Sequence, residues 1–185
     1  MRRIVCIGDA VTHGARATRG YPEHLWEQLR DTRPLIVHNA GLREGGLVDV
    51  LRAIPSVSTT FRNATLAVLL VPPYDAKGSG ANPREHRLLL EQTVELALGC
   101  FGGLVLCSPT PIGDSATVRG FGRPSRRWIP KAAEITEEVA RDHELHFVPL
   151  HKMDRALLAD SVHPRPEGYR WIASQLAPVI RDLAQ

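Results

Sequence analysis

Short apolar runs recur along the chain at 4–7, 35–38, 66–71, 104–107 and 146–150, each followed by small or polar residues. Runs this short and unbroken predict strands buried on both faces rather than strands with one wet side. Between them lie longer segments of mixed polarity, around 23–30, 47–53, 83–98 and 125–141, and a last one over about 167–183. These predict helices. In the last, Trp171, Ile172, Leu176, Val179, Ile180 and Leu183 form one stripe, as expected of a helix lying on a sheet. In the 83–98 segment the expected inner face is Leu88, Leu89, Val94 and Leu98, and Gly99 is the expected stop. Asn82-Pro83-Arg84-Glu85 is a helix start: an N-cap, a first-turn proline and a carboxylate at the third helical position. Strands alternating with helices build parallel βαβ units. The expected fold is therefore α/β, a three-layer α/β/α sandwich on a five-stranded parallel sheet, forming one domain over residues 1–185.

Composition narrows the class without naming a function. Apolar residues make up 43% and charged residues 23%, which describes a globular chain rather than a disordered or fibrous one. No apolar stretch is long enough to cross a bilayer, and Met1-Arg2-Arg3 leads straight into a strand pattern instead of a signal peptide, so the expected location is cytoplasmic. Cys6, Cys100 and Cys107 are an odd set without metal-knuckle spacing; they are expected to be free thiols. The net charge of +3 comes almost wholly from arginine, with Lys77, Lys131 and Lys152 the only lysines. Few aromatics and no continuous basic stripe argue against a nucleic-acid partner. The expected partner is a small-molecule substrate, with no membrane partner, and the oligomeric state is left open.

Chemistry concentrates at two places. In an open parallel sheet the crevice beyond the strands' carboxyl ends is where ligands bind. The first strand runs into Gly8-Asp9-Ala10-Val11-Thr12-His13-Gly14, the expected floor of such a site. Ahead of the last helix stands Asp160-Ser161-Val162-His163-Pro164. An imidazole acting as a general base needs a carboxylate to fix its tautomer, and a three-residue spacing on one loop supplies it locally. The connections 72–82 and 108–124 both follow strands and are long for a compact domain, the kind of loop that tends to carry function.

These blocks resemble the SGNH, or GDSL-type, hydrolases. Gly8-Asp9-Ala10 is similar to their opening Gly-Asp-Ser, and Asp160-x-x-His163-Pro164 with Glu167-Gly168-Tyr169 to their closing block. His38-Asn39-Ala40-Gly41 resembles the start of the second block. The stretch at 69–76, with Pro72-Pro73-Tyr74-Asp75, occupies the place of the third, usually Gly-x-Asn-Asp. The resemblance implies a flavodoxin-like sandwich and a Ser-His-Asp triad, with no cofactor and no metal. It also implies an oxyanion hole made of the serine's own N–H, a glycine N–H and an asparagine amide. On this pattern His163 is the base, Asp160 its orienter and Ala10 the nucleophile's position. Asp9, Glu44, Gly45 and Tyr74 surround the acyl group.

The departures carry as much information as the match. Ala10 has no nucleophile. Glu44 stands where the second-block glycine falls, with Gly45 next as the candidate donor, and Tyr74 stands at the asparagine position. Pro72 and Pro73 remove two backbone donors. Three readings follow: an esterase whose natural serine was replaced by Ala10 to trap a substrate or disable it, with its binding site kept; a serine-independent enzyme with a natural Ala10, using His163 and Asp160 for proton transfer in a cyclisation, elimination or isomerisation; and a non-catalytic binding protein.

Other candidates have plainer explanations beside them. Gly113-Asp114-Ser115 repeats the missing letters, yet turn chemistry accounts for it equally well. Arg119, Arg123, Arg126 and Arg127 form either a solvated helix entry or a holder for a carboxylate or phosphate on the substrate. His13 either lines the pocket or lies on the surface. The spacing of His151, Asp154, Asp160 and His163 matches no zinc pattern.

Overall fold

The apolar runs pair as one parallel sheet. The computed structural model describes residues 2–31, 34–76, 82–113, 121 and 123–183. Its strands are β1 (Arg2–Gly8), β2 (Leu35–Gly41), β3 (Leu66–Leu70), β4 (Leu104–Cys107) and β5 (His146–Val148). They lie in the order β2-β1-β3-β4-β5, and every neighbouring pair is parallel. The order reverses between β1 and β3, so the crevice past their carboxyl ends is the place where such sheets hold ligands. Gly8-Asp9-Ala10 and Pro72-Pro73-Tyr74 leave the sheet at that crevice.

Alternate residues of each inner strand feed two separate cores. Ile4, Cys6, Val68, Leu70, Val105 and Cys107 face one side, packed under α2 (Tyr21–Leu29) and α6 (Pro166–Leu183). Val5, Ile7, Ala67, Leu69, Leu104 and Leu106 face the other, under α3 (Leu47–Thr60), α4 (Pro83–Cys100) and α5 (Arg123–Asp142). This double burial explains why the strands are unbroken apolar runs. The α6 stripe packs as expected: Ile172, Leu176 and Ile180 are fully buried, and each contributes about 1.5–3 kcal/mol over its exposed state. Among the described residues no helix is long and apolar enough to cross a membrane. All three cysteines are free, with Cys6 and Cys107 buried and their thiols pushed up mainly by that burial.

Two elements differ from expectation. The third helix does not end near residue 53 but runs through Pro55 to Thr60. Proline removes one helical N–H, but Pro55 lies on the exposed face of the helix; further along, the Thr59 and Thr60 hydroxyls also donate to the Pro55 and Ser56 carbonyls at 2.9 and 2.8 Å. In α4 the buried face is His86, Leu90, Thr93, Val94 and Ala97, while Leu88 and Leu98 are exposed. The inner stripe carries two polar side chains, which displaced the expected face by part of a turn. The Thr93 hydroxyl donates to the Leu89 carbonyl at 2.7 Å, so it enters the core satisfied.

Candidate active site

The turn after β1 is a capped helix start. Asp9 is the N-cap of a single helical turn, α1 (Ala10–His13), and its Oδ1 accepts the Val11 N–H at 3.0 Å. Its other oxygen is buried with no partner among the described residues. Burial therefore pushes the carboxyl up to about 7, against the Val11 hydrogen bond, and nearby Asp75 adds to the rise. Ala10 is the first residue of α1 and only 5% exposed. A methyl group occupies the tip of the turn.

The second half of the site is built by a tight hairpin. The Ala159 N–H donates to the His163 carbonyl and the Arg165 N–H to the Leu157 carbonyl, both at 2.7 Å, so the chain folds back around Asp160. Asp160 Oδ1 accepts the backbone N–H groups of Val162 and His163, each at 2.8 Å. Asp160 Oδ2 stands 2.8 Å from His163 Nδ1. Burial acts to raise this carboxyl, but the hydrogen bonds from His163 and Val162 outweigh it and hold the group below the ordinary carboxylate range. An ionised carboxylate can only accept, so His163 Nδ1 carries a proton, and in the neutral imidazole the lone pair is then on Nε2. A general base needs that tautomer.

The structure adds a partner that the sequence did not reveal. Arg16 Nε lies 3.4 Å from Asp160 Oδ2, and Arg16 has a left-handed backbone, φ 66°. The Tyr169 hydroxyl, from the closing block, donates to the Ala15 carbonyl at 2.7 Å. These two contacts join the exit of α1 to the Asp160–His163 hairpin and to α6, across more than a hundred residues of chain. Neither has a local sequence signal.

The third-block segment organises the second. Both oxygens of Asp75 accept the Leu47 N–H, at 3.0 and 3.1 Å, so a carboxylate 28 residues away caps α3. The Gly46 N–H donates to Asp49 at 2.9 Å. A Cβ on Gly46 would lie 2.1 Å from Asp75 Oδ1, so only glycine admits this cap. Gly45, just before it, has φ 133°, a conformation few other residues adopt. Burial pushes Asp75 up to about 6, opposed by the Leu47 N–H and assisted by Asp49. Glu44, ahead of this turn, is exposed.

Tyr74 belongs to an apolar wall. Its ring meets Phe121 edge-on at 5.6 Å and packs on a small cluster of Ile112, Phe121, Ile129 and Val162. Behind it, buried His86 lies edge-on to Trp128 at 5.3 Å, with Nδ1 4.0 Å from Asp75, and burial pushes the imidazole down to about 4. The wall thus touches the catalytic-type hairpin through Val162, the residue before His163.

Of the remaining candidates, His13 is exposed, and its carbonyl accepts the Asn39 amide at 3.4 Å. His151 is held by Ser108, whose Oγ lies 3.0 Å from Nδ1 and accepts the His151 N–H at 2.9 Å; Ser108 itself is fully buried. Arg119 and the Asp114-Ser115 part of the repeated Gly-Asp-Ser lie outside the described residues, as does the Arg123 side chain. Gly113 is described, and its N–H donates to the Ser161 carbonyl at 2.8 Å.

The sequence profile of the GDSL-like Lipase/Acylhydrolase family matches residues 6–171, from β1 into α6, and so includes both site blocks. This chain belongs to that family. Similar solved structures carry the same fold. A lipase/acylhydrolase from Enterococcus faecalis is 21% identical with a TM-score of 0.82, over 98% of this chain and 96% of that one. A carbohydrate acetylesterase family member from Sinorhizobium meliloti is 20% identical with a TM-score of 0.86, over 98% of each. An aryl esterase from M. smegmatis is 17% identical with a TM-score of 0.82, over 99% and 100%. No curated protein matches the chain in sequence. This GDSL-family scaffold therefore has the family's fold, an ordered Asp160–His163 pair and alanine at the tip of the first block.

Proposed function

We propose that this protein is an acyl-ester hydrolase scaffold for small-molecule or carbohydrate esters, in a form without the serine hydroxyl. It binds and orients an ester and turns it over only slowly. One observation carries the reading: His163 Nδ1 is 2.8 Å from an Asp160 whose other oxygen is held by two N–H groups. That arrangement costs ordering entropy and serves a base, and Arg16, just past the Ala10 turn, reaches the same Asp160. The carbohydrate acetylesterase and aryl esterase among the similar folds point to the same reaction class.

With a hydroxyl at position 10, the proposed steps are these. The oxygen attacks the acyl carbon as its proton passes to His163 Nε2. The C–O bond to the alcohol then breaks, and that alcohol takes the proton from His163. Water repeats the sequence on the acyl-enzyme. Donors for the developing oxyanion are the N–H groups of Ala10 and Gly45, with Tyr74 as a side-chain donor. In the chain as it stands, Nε2 can take a proton only from water or from the substrate itself. Losing such a nucleophile costs about a millionfold in turnover, while binding and oxyanion donors retain about 10³–10⁴ over water.

A second reading keeps the pair and changes the reaction to proton transfer without an acyl-enzyme. Asp9 favours it, since a carboxyl held at about 7 beside Ala10 can give or take a proton near neutrality. Ala10→Ser, assayed with p-nitrophenyl acetate and butyrate, separates the two. The hydrolase reading expects ester cleavage well above the parent and dependent on His163. A folded serine variant at background overturns it.

A further inference from the structure

Three loops leave neighbouring strands at one edge of the sheet, and β1 lies between β2 and β3. Gly8, at the end of β1, pairs with Gly41 on one side, and a Cβ on Gly8 would lie 3.0 Å from the Leu70 carbonyl oxygen on the other. The Leu42 N–H donates to the Gly8 carbonyl at 2.8 Å, so the β2 exit begins beside the Ala10 turn. The contact between Asp75 and Leu47 joins the two outer loops. It therefore closes past the end of the middle strand and brackets the turn that carries Ala10. Asp9, the cap of that turn, feels the Asp75 charge.

The bracket also decides which backbone donor it leaves over. At the entry to α3 the Gly46 N–H donates to Asp49 Oδ2 at 2.9 Å, and the Leu47 N–H to Asp75 at 3.0 and 3.1 Å. The Gly45 N–H, on a half-buried residue, has no partner among the described residues. Two carboxylates thus take two of three successive donors and leave one. Neither glycine can gain a Cβ without moving an acid: at 46 it would collide with Asp75 Oδ1, and at 45 it would lie 2.8 Å from Asp49 Cβ. On the other loop Asp75 follows Tyr74 directly, so the same carboxylate anchors the segment that carries the phenol. A third element reaches it too, with His86 Nδ1 of α4 4.0 Å from Asp75 Oδ2.

We propose that Asp75 is a positioning residue for the donors that hold the acyl oxygen: it ties the β2 and β3 exits together across the Ala10 turn and so presents the Gly45 N–H and Tyr74 to one ester. Asp75 touches no reacting atom. Its contribution is to fix donors that would otherwise have to be ordered during the reaction, and one such donor is worth about 10²–10³ in kcat. A carboxylate suits the task because both of its oxygens accept the Leu47 N–H, with the added strength of a charged acceptor. The role in turnover rests on the ester-hydrolase reading, but the Gly45 donor can be observed without turnover.

The first measurement follows the backbone amides of the isotope-labelled parent chain by nuclear magnetic resonance as phenyl acetate is added. The Gly45 amide proton should move downfield, and further than those of Gly46 and Leu47, whose partners are already in place. Asp75→Ala should remove that response, and Asp75→Asn, which keeps an acceptor for Leu47, should retain most of it. Gly46→Ala displaces the same carboxylate from the other side and should reproduce the loss in a chain whose circular dichroism is unchanged. The second measurement adds these substitutions to Ala10→Ser. Asp75→Ala and Gly46→Ala should each lower kcat for phenyl acetate about 10²-fold or more, with KM nearly unchanged, and Asp75→Asn by less than about tenfold. The thiono analogue, whose sulfur accepts these hydrogen bonds poorly, should lose far less; a general loosening of the fold would lower both substrates alike. A Gly45 amide that ignores the ester in the parent, or responds equally in Asp75→Ala, overturns the proposal, as do equal losses on the two substrates. If Ala10→Ser cleaves no ester while the Gly45 response depends on Asp75, the hydrolase reading fails and the positioning role stands. If Ala10→Ser cleaves phenyl acetate and loses nothing with Asp75→Ala, the positioning role fails and the hydrolase reading stands.

Discussion

Arg16 reaches Asp160 with its Nε 3.4 Å from the same oxygen that stands 2.8 Å from His163 Nδ1. The arginine does this from a left-handed backbone, φ 66°, which costs a residue with a Cβ about 1–2 kcal/mol. Its side chain is 67% exposed, so the ion pair returns at most about 1 kcal/mol. Two substitutions separate these effects. Arg16→Ala keeps the strain and loses the pair; Arg16→Gly loses both. Urea unfolding should find the glycine variant more stable than the alanine variant by about 1 kcal/mol. If the two have equal midpoints, position 16 holds no strain.

Asp9 predicts a pH signature. The folded chain holds its carboxyl at about 7, above the ordinary 3.8, and so binds the proton more tightly than the unfolded chain does. Stability from this group is full at low pH and lost as pH rises from about 4 through 7. Asp9→Asn mimics the protonated acid and can still accept the Val11 N–H. The variant should therefore exceed the parent in stability by about 1–3 kcal/mol at pH 8. The gap should close toward pH 4. His86, held down at about 4, contributes in the opposite direction, losing stability as pH falls below 6.5. It is present in both chains and cancels from the comparison.

Gly46 and Asp75 form a steric lock at the start of α3. A methyl group at position 46 would sit 2.1 Å from Asp75 Oδ1 and displace the carboxylate that caps Leu47. Gly46→Ala should cost about 1–3 kcal/mol in thermal or urea unfolding, the loss of a cap with its charge-assisted hydrogen bond. Asp75→Ala should cost a similar amount, and the double variant little more than either alone, because both remove one contact.

Sequence legibility tracked range. The inner strands β1, β3 and β4 could be read because both of their faces are buried, which leaves short apolar runs. The Asp160–His163 pair could be read because its partners are three residues apart on one loop. Contacts that close the site over distance could not: Arg16 to Asp160 spans 144 positions, and Asp75 to Leu47 spans 28. Helix faces were legible where the stripe was purely apolar, as in α6, and misplaced in α4, where His86 and Thr93 occupy buried positions. The third helix was expected only to about residue 53 and runs on to Thr60. Pro55 lies on the exposed face, and α3 continues through it.

Asp160 is expected to orient His163 rather than to react. In a chain given a serine at position 10, Asp160→Asn keeps the size of the side chain but can present an N–H to Nδ1, which favours the wrong tautomer. Esterase kcat should fall about 10⁴-fold with KM nearly unchanged. A fall of less than tenfold would mean that the 2.8 Å contact has no part in turnover.

The proposed ester hydrolysis depends on the hydroxyl missing from position 10. The most direct measurement is kcat/KM of Ala10→Ser against p-nitrophenyl acetate, beside the parent and the Ala10→Ser, His163→Ala double variant, all shown to be folded. A gain of at least about 10³-fold over the parent is expected, abolished when His163 is removed. A folded serine variant no faster than the parent, or a gain that survives the loss of His163, would contradict it.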